Sequence, residues 1–293
     1  MTSFTRADED VNIYERLLVS AFTPEPEKTN YELMHIIGQG GYGQVKKVRH
    51  RKTGKLGAMK KLAFDPEGKS NKKLLREILC IIRLRSHENI VQMLDIFRSE
   101  NNSLCIVMEL CRCDLADFWE IKENQTTKLS FYIAHETVKG IDYLHNRVHQ
   151  IVHGDVKPQN ILIAVQPGSR KVLVKITDFG ISTSVDLNDV AKNNIVLEGV
   201  AKALARDLGF SNVSGTFPYM APEMFDAINN CDGVFQMDTS VDIFALGMVF
   251  TFIFSHNDSD YGKSFILKMR NFGQTKLFLQ SFINQNLHIN LTE

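Results

Sequence analysis

From His153 to Leu162 the chain reads His-Gly-Asp-Val-Lys-Pro-Gln-Asn-Ile-Leu, with an acid and an amide, Asp155 and Asn160, set around Lys157-Pro158. Proline fixes its own φ and biases the preceding residue towards extended backbone, so a helix arriving here must stop and a tight turn must follow. A turn between a helix and a strand pair lets these two polar side chains converge on one ligand. Beyond a hairpin turn at Pro167-Gly168 comes Asp178-Phe179-Gly180, which offers a second carboxylate to the same place.

The first half of the chain supplies a complementary signal. Gly38-Gln39-Gly40-Gly41-Tyr42-Gly43 is followed by Gln44-Val45, a G-x-G-x-x-G pattern ahead of an apolar residue. Glycines admit positive φ and let backbone N–H groups approach phosphate oxygens, because no Cβ stands in the way. Alone, the pattern equally fits an ordinary glycine hairpin. A dinucleotide-binding unit would place it between a strand and a helix, with an acid about twenty residues further on. Here a second strand follows, and Ala58-Met59-Lys60 puts a cation within the sheet. An ammonium on an apolar strand requires a counter-ion. Glu77, beside Leu74, Ile78 and Ile81, is the candidate, although each charge taken singly also fits a solvated surface.

From Tyr31 the pattern is one of short strands, Tyr31–Ile37, Gln44–His50 and Leu56–Leu62, joined by the glycine loop and by Thr53-Gly54 as a turn. A helix is predicted over Asn71–Arg85, then strands around Val91–Arg98 and Leu104–Leu110. After the polar stretch Glu123–Lys128 the pattern turns helical, with Leu129, Ile133, Ile141 and Leu144 on one face. The apolar run Val241–Phe254 carries Asp242 near its head and is too short to cross a bilayer, so it reads as a core helix. The expected organisation is an N-terminal extension over 1–28, a strand-rich lobe over 29–112 and a helix-rich lobe over 113–293. Within the extension, Asp8-Glu9-Asp10 precedes Val11, Tyr14, Leu17 and Leu18 on one side of a short helix that Pro24 and Pro26 end.

Composition narrows the class without naming a ligand. Lys plus Arg and Asp plus Glu both total 34, so no overall charge argues for nucleic acid or an acidic membrane surface. Five cysteines without framework spacing, and an N-terminus without an apolar signal core, place the expected protein in a reducing compartment, cytoplasmic or nuclear. Cys111-Arg112-Cys113 has no matching second pair and reads as buried thiols rather than a metal site. Nothing in the sequence fixes the oligomeric state.

With Gly215-Thr216-Phe217-Pro218-Tyr219-Met220-Ala221-Pro222-Glu223 and Asp242 added, the ordered set from Tyr31 to about residue 255 resembles the eukaryotic protein kinases of the Ser/Thr type. The resemblance implies an α+β, bilobal fold, with a small, mostly β N-lobe and a mostly α C-lobe. It implies ATP with Mg²⁺, or Mn²⁺, and a protein substrate bearing Ser or Thr. On these positions, the Gly38–Gly43 loop covers the phosphates with Tyr42 at its tip, and Lys60, paired to Glu77, holds the α- and β-phosphates. Asp178 and Asn160 take the metal ions, Asp155 orients the incoming hydroxyl, and Lys157 steadies the γ-phosphate. Thr216 stands beside Asp155. Val45 and Ala58 lie above the adenine and Leu162 below, Glu109 and Cys111 meet its edge through their backbone, and Met108 is the gatekeeper. A narrower resemblance, to the unfolded-protein-response sensor kinases, rests on Ile151-Val152-His153 and Val241–Gly247.

Three features depart from that pattern. Gly154 stands where most members carry an Arg that receives an activation-loop phosphate. The segment between Asp178 and Glu223 is long and has helical spacing over Glu198–Leu208. Beyond Phe254 no Arg presents itself as the partner of Glu223, so the C-lobe is expected to be incomplete at its C-terminal end. The competing readings are a pseudokinase scaffold, a small-molecule phosphotransferase, which shares His-Gly-Asp followed by Asn, and a nucleotide-dependent dehydrogenase, which fails on the strand after the glycines. The Gly-Thr-x-x-Tyr-x-Ala-Pro-Glu element favours a protein substrate.

Overall fold

A computed structural model of the chain describes residues 30–40, 43–63, 80, 84, 86–99, 103–146, 151–165, 168, 171–179, 183–184, 216–224 and 237–254. Most of the helix predicted over Asn71–Arg85, with Glu77, lies outside the described residues. So do the N-terminal extension, Gly41, Tyr42, the segment Glu198–Leu208 and everything beyond Phe254.

Five strands form an antiparallel sheet in the order β1-β2-β3-β5-β4: β1 (Tyr31–Gly40), β2 (Gly43–His50), β3 (Leu56–Ala63), β4 (Met93–Arg98) and β5 (Ser103–Glu109). All five match runs of apolar and β-branched residues in the sequence, and β1 runs on into the glycines, where Gly40 pairs with Gly43. The β2–β3 turn works because Gly54 takes φ 70° without a Cβ penalty. The ring of His50 accepts from Thr53 N–H at 3.1 Å and fixes the turn's first half.

Among the described residues the second half holds three α-helices and two small sheets. Asp114, after the two-residue strand β6 (Cys113–Asp114), caps helix α1 (Leu115–Glu120) by accepting from Asp117 N–H at 2.9 Å. Helix α2 (Thr127–His145) begins two residues before the first apolar position because the Thr126 hydroxyl caps it, accepting from Leu129 N–H at 3.3 Å. Its stripe of Ile133, Ile141 and Leu144 is buried, as the spacing requires. Strand β7 (Ile151–Val152) pairs with β10 (Thr183–Ser184), and β8 (Ile161–Val165) joins β6 and β9 (Val172–Ile176). Helix α3 (Thr239–Phe254) is apolar on every side and correspondingly buried, with Leu246, Val249 and Ile253 packed into the core that α2 lines.

The two halves are stitched by backbone hydrogen bonds. Val91 N–H donates to Ile176 O at 2.9 Å, Ile176 N–H to Asn89 O at 2.8 Å, and Arg112 N–H to Ile163 O at 2.8 Å. These bonds fix β4 and the end of β5 against β8 and β9, and the cleft opens at that junction. The result is the expected α+β bilobal arrangement.

Candidate active site

Lys60 reaches the cleft because β3 alternates: Ala58 and Lys60 face the cavity while Met59 packs on the opposite side. Its ammonium is buried and lies 3.1 Å from Asp178 Oδ1. Asp178 takes φ 67°, a left-handed conformation that costs a residue with a side chain of the order of 1–2 kcal/mol. That conformation comes two residues after β9 ends, and Phe179 beyond it is buried in the core, where it meets the His153 ring at 5.3 Å. Glu77, the expected partner of Lys60, lies outside the described residues.

The turn around Lys157-Pro158 forms a 3-10 segment, Pro158–Asn160, and converges as its spacing implies. Asn160 Nδ2 donates to the Asp155 carbonyl at 2.8 Å and to its Oδ2 at 3.2 Å. Lys157 Nζ donates to Asp155 Oδ2 and to Thr216 Oγ1, both at 2.6 Å. Thr216, 61 residues away in sequence, donates to Asp155 Oδ1 through its hydroxyl at 2.9 Å and its N–H at 3.1 Å. The Asp155 carboxylate is therefore held at both oxygens and cannot rotate without breaking several bonds.

Beneath this loop stands Asp242, fully buried at the head of α3, which accepts from His153 N–H and Gly154 N–H at 2.7 Å each and contacts His145 Nε2 at 2.7 Å. Gly154 takes φ 79° to present its N–H, a conformation that suits glycine. His153 joins the two acidic segments. Its Nδ1 accepts from Asp155 N–H at 3.2 Å, which leaves Nε2 to donate to Thr177 O at 2.9 Å. No role for His153 follows from its sequence position alone; the apolar helix headed by Asp242 was the only hint of the buried acid that orients this loop.

A cavity of about 560 Å³ lies between the halves, the size of a typical small-molecule site. Gly38, Val45, Ala58 and Lys60 line it from the sheet, Met108, Glu109 and Cys111 from the connecting strand, and Asn160, Leu162 and Asp178 from below. Gln39, Gly40 and Gly43 belong to the β1 and β2 ends that pair beside it. Asp155, Lys157 and Thr216 stand outside the wall and adjoin it through Asn160. Asp114, Asp117 and Gln159 line the cavity too, although no motif or spacing marks them; two carboxylates there can accept hydrogen bonds from sugar hydroxyls. Burial raises the Asp114 carboxyl above its ordinary range, against the hydrogen bond from Asp117 N–H. The Glu109 carboxylate is held by Lys175 at 2.8 Å and accepts from Gln92 N–H at 2.7 Å. Burial, with the Glu109 charge beside it, pushes the Cys111 thiol up to about 12, so Cys111 is a neutral wall residue. None of the described cysteines is in a disulfide.

The donor set suits a hard divalent cation. Asp178 offers a carboxylate and, with its nitrogen engaged by Asp155, Asn160 offers an amide oxygen; Mg²⁺ is commonly held by one or two such groups with phosphate and water completing the shell. Among the described residues no three His, Cys, Asp or Glu side chains cluster as a metal site of their own.

Fold and site together define a two-lobed nucleotide-cleft domain of the protein kinase class. The chain belongs to the protein kinase domain family, whose model matches residues 31–271. It is 29% identical over 277 residues to the serine/threonine-protein kinase TIO of Arabidopsis thaliana, covering 90% of this chain and 18% of that protein. It is 29% identical over 226 residues to Misshapen-like kinase 1 of Rattus norvegicus, covering 74% and 15% respectively. Serine/threonine-protein kinase 1 of A. thaliana is 30% identical over 233 residues, covering 79% and 24%. The chain thus spans less than a quarter of the length of each of these relatives.

Proposed function

We propose that this chain is a Ser/Thr protein kinase that transfers the γ-phosphate of ATP, with Mg²⁺ or Mn²⁺, to a hydroxyl on a protein. The observation that carries this reading is the convergence of Asp155, Lys157 and Thr216 beside a cavity walled by Lys60, Asn160 and Asp178. Family membership supports ATP and a divalent cation in general terms and a protein as acceptor; the choice of metal is part of the proposal.

Each residue then has a physical task. Asp155, fixed by Thr216 and Lys157, accepts the hydroxyl proton and aims the oxygen. Lys157, 2.6 Å from that carboxylate, neutralises charge on the transferred group, and Lys60 does so on the α- and β-phosphates. Gly38, Gln39, Gly40, Gly41, Tyr42 and Gly43 form the cover over the phosphates, with Glu77 as the further partner of Lys60. The cation, held by Asp178 and Asn160, offsets phosphate charge when bound. Val45, Ala58 and Leu162 sandwich the adenine, Glu109 and Cys111 meet its edge, and Met108 limits the depth of the site. Catalysis in such a site is mostly alignment and electrostatics, since the protein does little covalent work. Residues 29–112 and 113–293 act as the two lobes, and the reading places the protein in the cytoplasm or nucleus. Among the described residues no helix is long and apolar enough to cross a membrane.

The test is transfer of labelled γ-phosphate to a generic basic protein by wild type and by Asp155→Asn, with mass-spectrometric mapping of the labelled residues. Label on Ser or Thr from wild type alone supports the proposal. Nucleotide binding without transfer by wild type would make it a pseudokinase, and label confined to small-molecule acceptors would make it a small-molecule phosphotransferase.

A further inference from the structure

The sheet has a second face that the cleft does not use. Ala58, Lys60 and Met108 turn towards the cavity, so Met59 and Val107, their strand neighbours, face away. That outward face is apolar: Tyr31, Val48, Met59, Cys105 and Val107 form one cluster, and Val48 and Val107 are 0% exposed. An antiparallel sheet with one side in water alternates apolar and polar residues, whereas a sheet apolar on both sides calls for a layer on each.

The cluster is open at β1. Leu33, directly opposite Val48, is 54% exposed, and Ile36, opposite Lys46, is 49% exposed. Opposed residues of an antiparallel pair share a face, so Ile36, Lys46 and Met59 lie on the outward side, as do Lys61 and Cys105. The open patch therefore combines two exposed aliphatic side chains with two lysines that flank Met59.

The chain itself enters this face at Tyr31. The residues just before it carry the complementary pattern: Val11, Tyr14, Leu17 and Leu18 recur at helical spacing, accompanied by Asp8, Glu9, Asp10 and Glu15. We propose that residues 8–18 dock as an amphipathic helix on the outer face of the five-stranded sheet. The apolar stripe covers Leu33 and Ile36, and the acids lie towards Lys46 and Lys61. The connecting residues 19–30 reach up to about 40 Å when extended, while four inter-strand spacings span about 19 Å, so the tether imposes no strain. Because the segment is tethered, its effective concentration at the face is in the millimolar range and a modest contact suffices.

Incorporation of p-benzoylphenylalanine at Leu17 in the full chain, irradiation and peptide mapping test the contact. The expected adduct lies within one chain and joins residue 17 to a peptide from 31–49 or 56–61. It disappears in Leu33→Asp/Ile36→Asp and, should that variant lose its fold by circular dichroism, in Lys46→Glu/Lys61→Glu. Adducts between chains, detected by mixing isotopically heavy and light protein, would make the face a self-association surface and overturn the proposal. An adduct elsewhere on the domain, or none, overturns it as well.

Discussion

Lys60 and Asp178, 118 residues apart in sequence, lie 3.1 Å from each other as a partly buried ion pair in the cleft. Each is the other's counter-charge before any phosphate arrives, which keeps both side chains aimed into the cavity. Removing either costs the other this ion pair and, on the proposed function, a phosphate or metal contact as well. Lys60→Met and Asp178→Asn are each expected to lower γ-phosphate transfer by roughly 10³-fold or more, by analogy with a single well-placed cation in phosphoryl transfer. Steady-state kinetics on the purified variants check this, and wild-type turnover in either one refutes the site.

Thr216 holds the Asp155 carboxylate by two hydrogen bonds and touches no wall of the nucleotide cavity. Thr216→Ala keeps the backbone donor and loses the hydroxyl. It is expected to reduce kcat about tenfold or more, the scale of one oriented hydrogen bond of 1–2 kcal/mol, while the KM for ATP stays unchanged. Thr216→Ser should recover most of the rate. An ATP KM that rises in step with the loss of kcat would move Thr216 into nucleotide binding.

Local chemistry explains which parts of the site were legible in the sequence. Glycines, the Lys157-Pro158 turn and the alternation of Ala58-Met59-Lys60 have consequences within a few residues, so the strands, the turn and the faces of their side chains could be read directly. Adenine-site roles for Val45, Ala58, Met108, Glu109, Cys111 and Leu162 came with the family resemblance, and each of these residues lines the cleft. What stayed hidden depends on long-range packing. The Asp242 carboxylate meets His153 and Gly154 only after α3 has packed beneath the catalytic loop. The Lys175–Glu109 pair likewise needs β9 to lie under the connecting strand, and nothing in the local pattern around Lys175 marks it as buried.

Gly154 fills the left-handed position before Asp155 and hands its N–H to Asp242 at 2.7 Å. Any side chain there adds roughly 1–2 kcal/mol of backbone strain. Gly154→Ala should lower unfolding stability by about that amount, measured by urea denaturation. The absent arginine also removes the usual anchor for an activation-loop phosphate. Phosphatase treatment is therefore expected to leave most of the activity in place, and Ser211→Asp to add none. Loss of most activity on dephosphorylation, restored by Ser211→Asp, would contradict this.

Gly140 sits where α2 crosses β9. A Cβ there would lie 2.5 Å from Ile176 Cδ1 and 3.1 Å from the Asn89 carbonyl, which already accepts from Ile176 N–H. Alanine gains about 1 kcal/mol of helix propensity over glycine, but overpacking a core typically costs about 1–3 kcal/mol. The backbone oxygen cannot withdraw without breaking its bond to β9, so the clash outweighs the gain. Gly140→Ala should lower the melting temperature, and Gly140→Ala/Ile176→Val should recover part of the loss. A single variant as stable as wild type would show that Ile176 has room to turn.

The loop before β4 contributes a pH dependence. His87 stacks on Tyr143 with ring centroids 4.2 Å apart, and its Nδ1 accepts from Asn89 N–H at 3.1 Å, which requires the neutral ring. Burial lowers the pKa of His87 from 6.5, with Lys139 and Lys175 adding to the shift against the opposing pull of Glu88 and Glu136. A depressed folded-state pKa means that the unfolded chain takes up the proton first. The stabilisation is therefore complete above pH 6.5 and is lost as the pH falls from there through the folded value. Urea midpoints taken between pH 7.5 and pH 5 should fall for wild type. In His87→Phe, which keeps the stack and cannot titrate, the midpoint should start lower for want of the Asn89 bond and change less across the same range. Equal slopes in the two proteins would assign the acid sensitivity to other groups.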